Sequence, residues 1–96
     1  MYGTVARFHM KPGVAAQLLT RLRELNVERD PGLVAEYIYH MDADPNVYYM
    51  AVAYESKEAY RANATRPQTH ARYVQLMEFA AAEPEWHDGE IVFAIT

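Results

Sequence analysis

The stretch that most constrains this chain is Val34–Glu55, VAEYIYHMDADPNVYYMAVAYE. Two runs rich in Val, Ile and Tyr, Val34–Met41 and Val47–Glu55, flank the polar segment Asp42-Ala43-Asp44-Pro45-Asn46. β-Branched and aromatic side chains suit a pleated, packed surface. The central segment has turn chemistry, because Pro45 fixes φ and the Asp and Asn side chains bond nearby backbone. Strand alternation puts Val34, Glu36, Ile38 and His40 on one face, and Ala35, Tyr37, Tyr39 and Met41 on the other. On the second strand Val47, Tyr49, Ala51 and Ala53 oppose Tyr48, Met50, Val52 and Tyr54. A hairpin with one wet face alternates apolar and polar residues cleanly. Neither face here is polar, so both need cover.

The rest of the chain supplies cover for one face. Tyr2–Met10 reads as a first strand, ended by Lys11-Pro12-Gly13. Val14, Leu18, Leu22 and Leu25 recur at helical spacing, which predicts an amphipathic helix to about Val27, stopped by Asp30-Pro31-Gly32. After the hairpin, Ser56 is an expected N-cap, with Glu58 meeting the helix dipole. Thr65 and Gln68 have capping-box spacing, with Pro67 in the first turn, and predict a second helical segment ending near Glu83-Pro84. The turn His87-Asp88-Gly89 then leads into a last strand expected over Glu90–Thr96. The order β-α-β-β-α-β predicts an α+β, ferredoxin-like sandwich: a four-stranded antiparallel sheet with helices on one face. Residues 1–96 read as a single domain of one modest core. Nothing remains to cover the second face, so a homodimer is expected, packed sheet against sheet.

Composition excludes several classes of function. A net charge of −4 opposes phosphate-backbone contacts, so no nucleic-acid partner is expected. The chain has no cysteine, hence neither a disulfide framework nor a thiolate nucleophile. No apolar run approaches membrane-spanning length and no basic leader precedes the first strand; no membrane partner is expected, and the default compartment is cytoplasmic. Asp42–Asn46 faintly imitates a calcium loop, but Val47 stands where glycine is required and Ala53 where the closing Glu would be. No HxH or HxxxH pair and no glycine-rich phosphate loop occurs, so no metal, nucleotide or flavin cofactor is expected.

Three segments together resemble one family. Arg7–Gly13 (RFHMKPG), the hairpin with its YxY, and Tyr54–Tyr73 (YESKEAYRANATRPQTHARY) are similar to the antibiotic biosynthesis monooxygenase domain of the dimeric α+β barrel superfamily. The resemblance implies the same fold and dimer, and a ligand cavity between each subunit's sheet and its helices. It implies no single reaction, since members serve as cofactor-independent oxygenases of polyketide-like phenols, as haem-degrading enzymes, or in the handling of small signalling molecules. The haem-degrading branch carries Asn, Trp and a ligating His; the first two positions align here with Ala6 and Asn63, and the third with Arg72, near His70, so two of the three signature residues are absent and haem degradation is not expected. Many other members carry His where Asn63 stands and a second His shortly after a Pro; here His70 follows Pro67 by three residues.

Two residues stand out as catalytic candidates. His70 is a general-base candidate, because histidine is the side-chain type suited to proton transfer near neutral pH, or else a helix-surface histidine. Asn63 offers donors and an acceptor to a substrate carbonyl or phenolate. Tyr37, Tyr39, Tyr54, Tyr60 and Tyr73 offer flat walls with hydroxyl tips, suited to a small aromatic or apolar ligand, or to packing. The expected function is a cofactor-independent monooxygenase of a small phenolic or polyketide-like substrate. A small-molecule-binding dimer without turnover, or a non-oxidative isomerase or cyclase, are the alternatives.

Overall fold

The computed structural model describes residues 1–96, in the order β-α-β-β-α-α-β. Strands β1 (Tyr2–His9), β2 (Leu33–His40), β3 (Val47–Tyr54) and β4 (Glu85–Glu90) form one antiparallel sheet ordered β2-β3-β1-β4. Helices α1 (Ala15–Leu25), α2 (Lys57–Ala64) and α3 (Pro67–Met77) pack over one of its faces. This is the α+β, ferredoxin-like arrangement expected, with the second helical region divided into two helices.

Local chemistry explains most boundaries. β1 runs down the middle of the sheet, and at Gly3 it approaches β3 so closely that a Cβ would lie 1.7 Å from the Val52 carbonyl oxygen. Only glycine fits there. Asn26 closes α1 by donating its Nδ2–H to the Leu22 carbonyl at 2.7 Å, so the helix ends before Val27. Ser56 caps α2 as expected, its Oγ accepting from the Ala59 N–H at 3.1 Å. The expected Thr65/Gln68 capping box does not form. Arg66, held extended because it precedes Pro67, is the N-cap, and the Thr65 hydroxyl turns back to the Ala62 carbonyl at 3.0 Å. α3 stops at Met77 rather than near Glu83. There the Lys11 N–H donates to Phe79 O and the Ala81 N–H to His9 O, both at 2.8 Å, drawing the chain out of helix and against the end of β1.

The last strand differs most from expectation. β4 spans Glu85–Glu90, not Glu90–Thr96, and His87-Asp88-Gly89 lies inside it. Its register runs from Arg7↔Glu85 to Tyr2↔Glu90, anchored by an Arg7–Glu85 ion pair at 3.0 Å. Pairing along the central strand overrides the turn preference of Asp-Gly. The Ile91 N–H makes the last rung, to Met1 O. Residues 92–96 are not in a strand, and Val92, Phe93 and Ile95 are highly exposed.

The core lies between the helices and the inner sheet face, where Ala6, Phe8, Met10, Leu18 and Tyr48 are buried together. The outer face is bare: Val5, Tyr37 and Tyr39 are exposed. No helix is long and apolar enough to cross a membrane.

Candidate active site

Helix packing leaves a cavity of about 360 Å³ between the inner sheet face and the helices. Its floor follows strand alternation: Phe8 from β1 with Met10 just beyond its end, Tyr48 and Met50 from β3, Ile38 from β2 and Trp86 from β4. The roof is apolar over α1, from Leu18, Leu22 and Leu25, and polar where α2 meets α3. The volume suits a small molecule of one to a few rings.

Aromatic rings set the walls. Trp86 meets Phe8 edge-on at 5.7 Å between centroids, and Tyr73 lies 6.3 Å from Trp86. Tyr54 and Tyr60 meet edge-on at 5.7 Å. The Tyr60 hydroxyl donates to Asp88 Oδ1 at 2.8 Å. Burial, reinforced by that carboxylate, pushes the Tyr60 phenol up to about 12. The Tyr54 hydroxyl is raised further, by burial first and then by the negative charge of Asp30.

The break between α2 and α3 brings Asn63, Thr69 and His70 to the cavity. The Thr69 hydroxyl donates to Asn63 Oδ1 at 3.2 Å, which leaves the Asn63 Nδ2 donors without a protein partner. His70 stands exposed at the rim, its ring making no hydrogen bond to protein.

Beside it lies a charged cluster. Asp30, with side-chain exposure of 14 %, accepts from Arg72 Nη2 at 2.7 Å and from Arg66 Nη1 at 3.2 Å on the same oxygen. Its second oxygen accepts from the Tyr54 hydroxyl at 3.4 Å. Glu36 also lines the cavity, from β2, and makes neither an ion pair nor a hydrogen bond. It is exposed by area on an edge strand, yet enough protein surrounds its carboxyl to desolvate it. That desolvation raises its proton affinity, aided by Asp30 and opposed by Arg72.

The cavity thus gathers His70, Asn63, Tyr54, Tyr60 and Tyr73. Tyr37 and Tyr39 do not join them; alternation along β2 sets both on the outer face. Trp86, Asp30, Arg72 and Glu36 are lining residues that sequence reasoning did not single out. Placing Trp86 within a strand would have put its ring on the inner face, whereas Asp30 and Arg72 stand 42 residues apart and carry no local signal.

Fold and cavity define a small α+β protein with an aromatic-walled ligand chamber and one hydrogen-bonding end. Residues 1–75 match the family described as antibiotic biosynthesis monooxygenase, and the chain belongs to that family. A comparison with curated proteins finds no match. Among solved structures, the chain is similar to SnoaB, a cofactor-independent oxygenase from Streptomyces nogalater, with TM-score 0.83 at 17% identity, over 98% of this chain and 95% of that one. A Caulobacter crescentus protein superposes with TM-score 0.84 at 19% identity, over 96% and 90% of the two chains. One from Chloroflexus aurantiacus gives 0.81 at 21%, over 99% and 96%.

Proposed function

We propose that this protein is a cofactor-independent monooxygenase of a small phenolic or polyketide-like substrate. The observation that carries the reading is the cavity itself, an aromatic chamber with the free Asn63 Nδ2 donors at its polar end. Family membership and the likeness to SnoaB support it. A substrate anion reduces O2 directly. One oxygen atom becomes a carbonyl oxygen on a substrate ring carbon, the other leaves as water with two hydrogens, one from that carbon and one from the phenol hydroxyl, and four electrons pass to O2. The protein's part is to bind the phenol in a dry site, move its proton and steady the oxyanion. Asn63 donates to the oxyanion, His70 handles the proton at the rim, and the Tyr54, Tyr60 and Tyr73 rings hold the aromatic body. The test is oxygen uptake by metal-stripped, flavin-free protein with a panel of anthrones and hydroquinones. Uptake above the spontaneous rate that falls at least tenfold in His70→Ala and Asn63→Ala is expected; no uptake across the panel overturns the reading. One observation favours binding without turnover: no protein group orients the exposed His70 ring.

The same reading includes a homodimer that covers the outer sheet face. The chain exposes 6595 Å², whereas a folded monomer of 11.0 kDa is expected to expose about 5,600 Å². The excess is close to the area, about 800 Å² per partner, that a standard interface buries. Val5, Tyr37 and Tyr39 on the outer sheet face, with Val92, Phe93 and Ile95 beyond it, are among the exposed apolar side chains. These fit a second copy of the same face. Light scattering is expected to give twice the chain mass, and a monomer at micromolar concentration would overturn this.

A further inference from the structure

Two carboxylates line the cavity, and they differ in what they are free to do. Asp30 is fully engaged: one oxygen accepts from Arg66 and Arg72, the other from Tyr54. Glu36 has no partner. It stands on β2 opposite Val52, on the inner face with Ile38, in a position that alternation turns toward the ligand space. The titratable and charged groups around that space come from several elements: Asp30 from the α1–β2 connection, Arg66 from the N-cap of α3, Arg72, His70 and Tyr73 from α3, Tyr48 and Tyr54 from β3 and Tyr60 from α2, while α1 presents only leucines. The two arginines offset Asp30 and Glu36 in number, and both are held by Asp30 rather than by Glu36.

We propose that Glu36 is a catalytic residue of this cavity: its carboxylate accepts the hydroxyl proton of the bound phenol. In that step the phenol O–H bond breaks, an O–H bond forms on Glu36, and the electron pair stays on the phenolate oxygen. The charge of the pair is conserved, so the transfer needs no counter-ion to enter. Asn63 Nδ2 is free to donate to the new oxyanion. The Glu36 carboxyl, exposed by area on its edge strand, then returns the proton to water. A carboxyl whose proton affinity is raised by crowding is better matched to a phenol than an ordinary surface carboxylate. This assignment rests on the phenol-binding part of the reading above.

The competing role for Glu36 is a charge that blunts an edge strand against pairing with other chains. A bound chromophore separates the two. 4-Nitrophenol reports its own ionisation by colour, so its pH midpoint can be read while it is held by wild-type protein, Glu36→Gln and Glu36→Asp, with Trp86 fluorescence tracking occupancy. A carboxylate against the phenol disfavours the phenolate. The wild-type midpoint is therefore expected above that of free probe, Glu36→Gln is expected to lower it by about one pH unit, a tenfold change in proton affinity, and Glu36→Asp to restore part of the shift. Binding with the same midpoint in wild type and Glu36→Gln would assign Glu36 to the edge strand and leave the phenol cavity standing. No binding to either protein would overturn the cavity's phenol specificity together with the role of Glu36.

Discussion

The two faces of the sheet are built from similar residues and end in opposite states. On the inner face Ala6 is 0% exposed and Phe8 and Tyr48 are each 7% exposed, whereas on the outer face Val5 is 49%, Tyr39 53% and Tyr37 61% exposed. These residues alternate within the same strands, so hydrophobicity alone cannot separate them. What separates them is the path of the connections, which lays all three helices on one side. The contrast extends to chemistry: the covered face retains a cavity with Asn63, Glu36 and Asp30 at one end, and the open face has a more open hollow lined by Val5, Tyr37, His87 and Glu90. Cover with a gap makes a site for a small molecule. The bare apolar face is the one on which the proposed second copy would pack.

Substitutions that should behave alike on composition and unlike on position sharpen this comparison. Phe8→Ala opens the core and is expected to cost about 3–5 kcal/mol in urea unfolding. Tyr37→Ser with Tyr39→Ser is expected to leave the far-UV circular dichroism unchanged and lower the scattering mass toward the monomer. A pair as damaging to the fold as Phe8→Ala would erase the distinction between the faces. Asp30→Asn removes the charge that holds Arg66, Arg72 and Tyr54, and an expected loss of about 2 kcal/mol follows from charge-assisted hydrogen bonds left without their anion.

Titration gives smaller effects. Tyr60 is held up to about 12 in the fold against 10.0 for a free phenol, and Tyr54 is raised as well. Stability from keeping these protons is present below pH 10 and lost as pH rises through the folded values. Tyr54→Phe with Tyr60→Phe is therefore expected to flatten the fall of Tm between about pH 10 and 12. The Glu36 carboxyl is also raised, so its contribution is present below its ordinary pKa and lost as pH climbs through the folded one. Glu36→Gln is expected to unfold no more easily than wild type at pH 7, gaining about 0.5 kcal/mol or less because the group is exposed.

Much of the fold was legible because its signals are local. The Val34–Glu55 hairpin, the leucine spacing of α1 and the Ser56 cap each arise within a few residues. Where long-range pairing decides, local signals misled. Asp88-Gly89 reads as a turn yet pairs with Gly3 and Thr4, because the central strand still needed a neighbour. The site divides in the same way. As cavity-lining residues, Asn63 was legible through the family resemblance and His70 from its helical segment over the cavity, whereas of the five tyrosines chosen alike for their aromatic walls Tyr54, Tyr60 and Tyr73 line it and Tyr37 and Tyr39 fall on the outer face. The Asp30–Arg66–Arg72 cluster joins residues 36 and 42 positions apart, and only the packing of α3 against the α1–β2 connection brings them together.

The most direct test of the two-faced account is a map of backbone amide shifts as a hydroquinone or anthrone is added to the intact protein. The account predicts changes concentrated at Asn63, His70, Tyr54 and Trp86, with Tyr37, Tyr39 and Tyr49 silent. Changes centred on those outer-face tyrosines, or spread evenly over both faces, would contradict it.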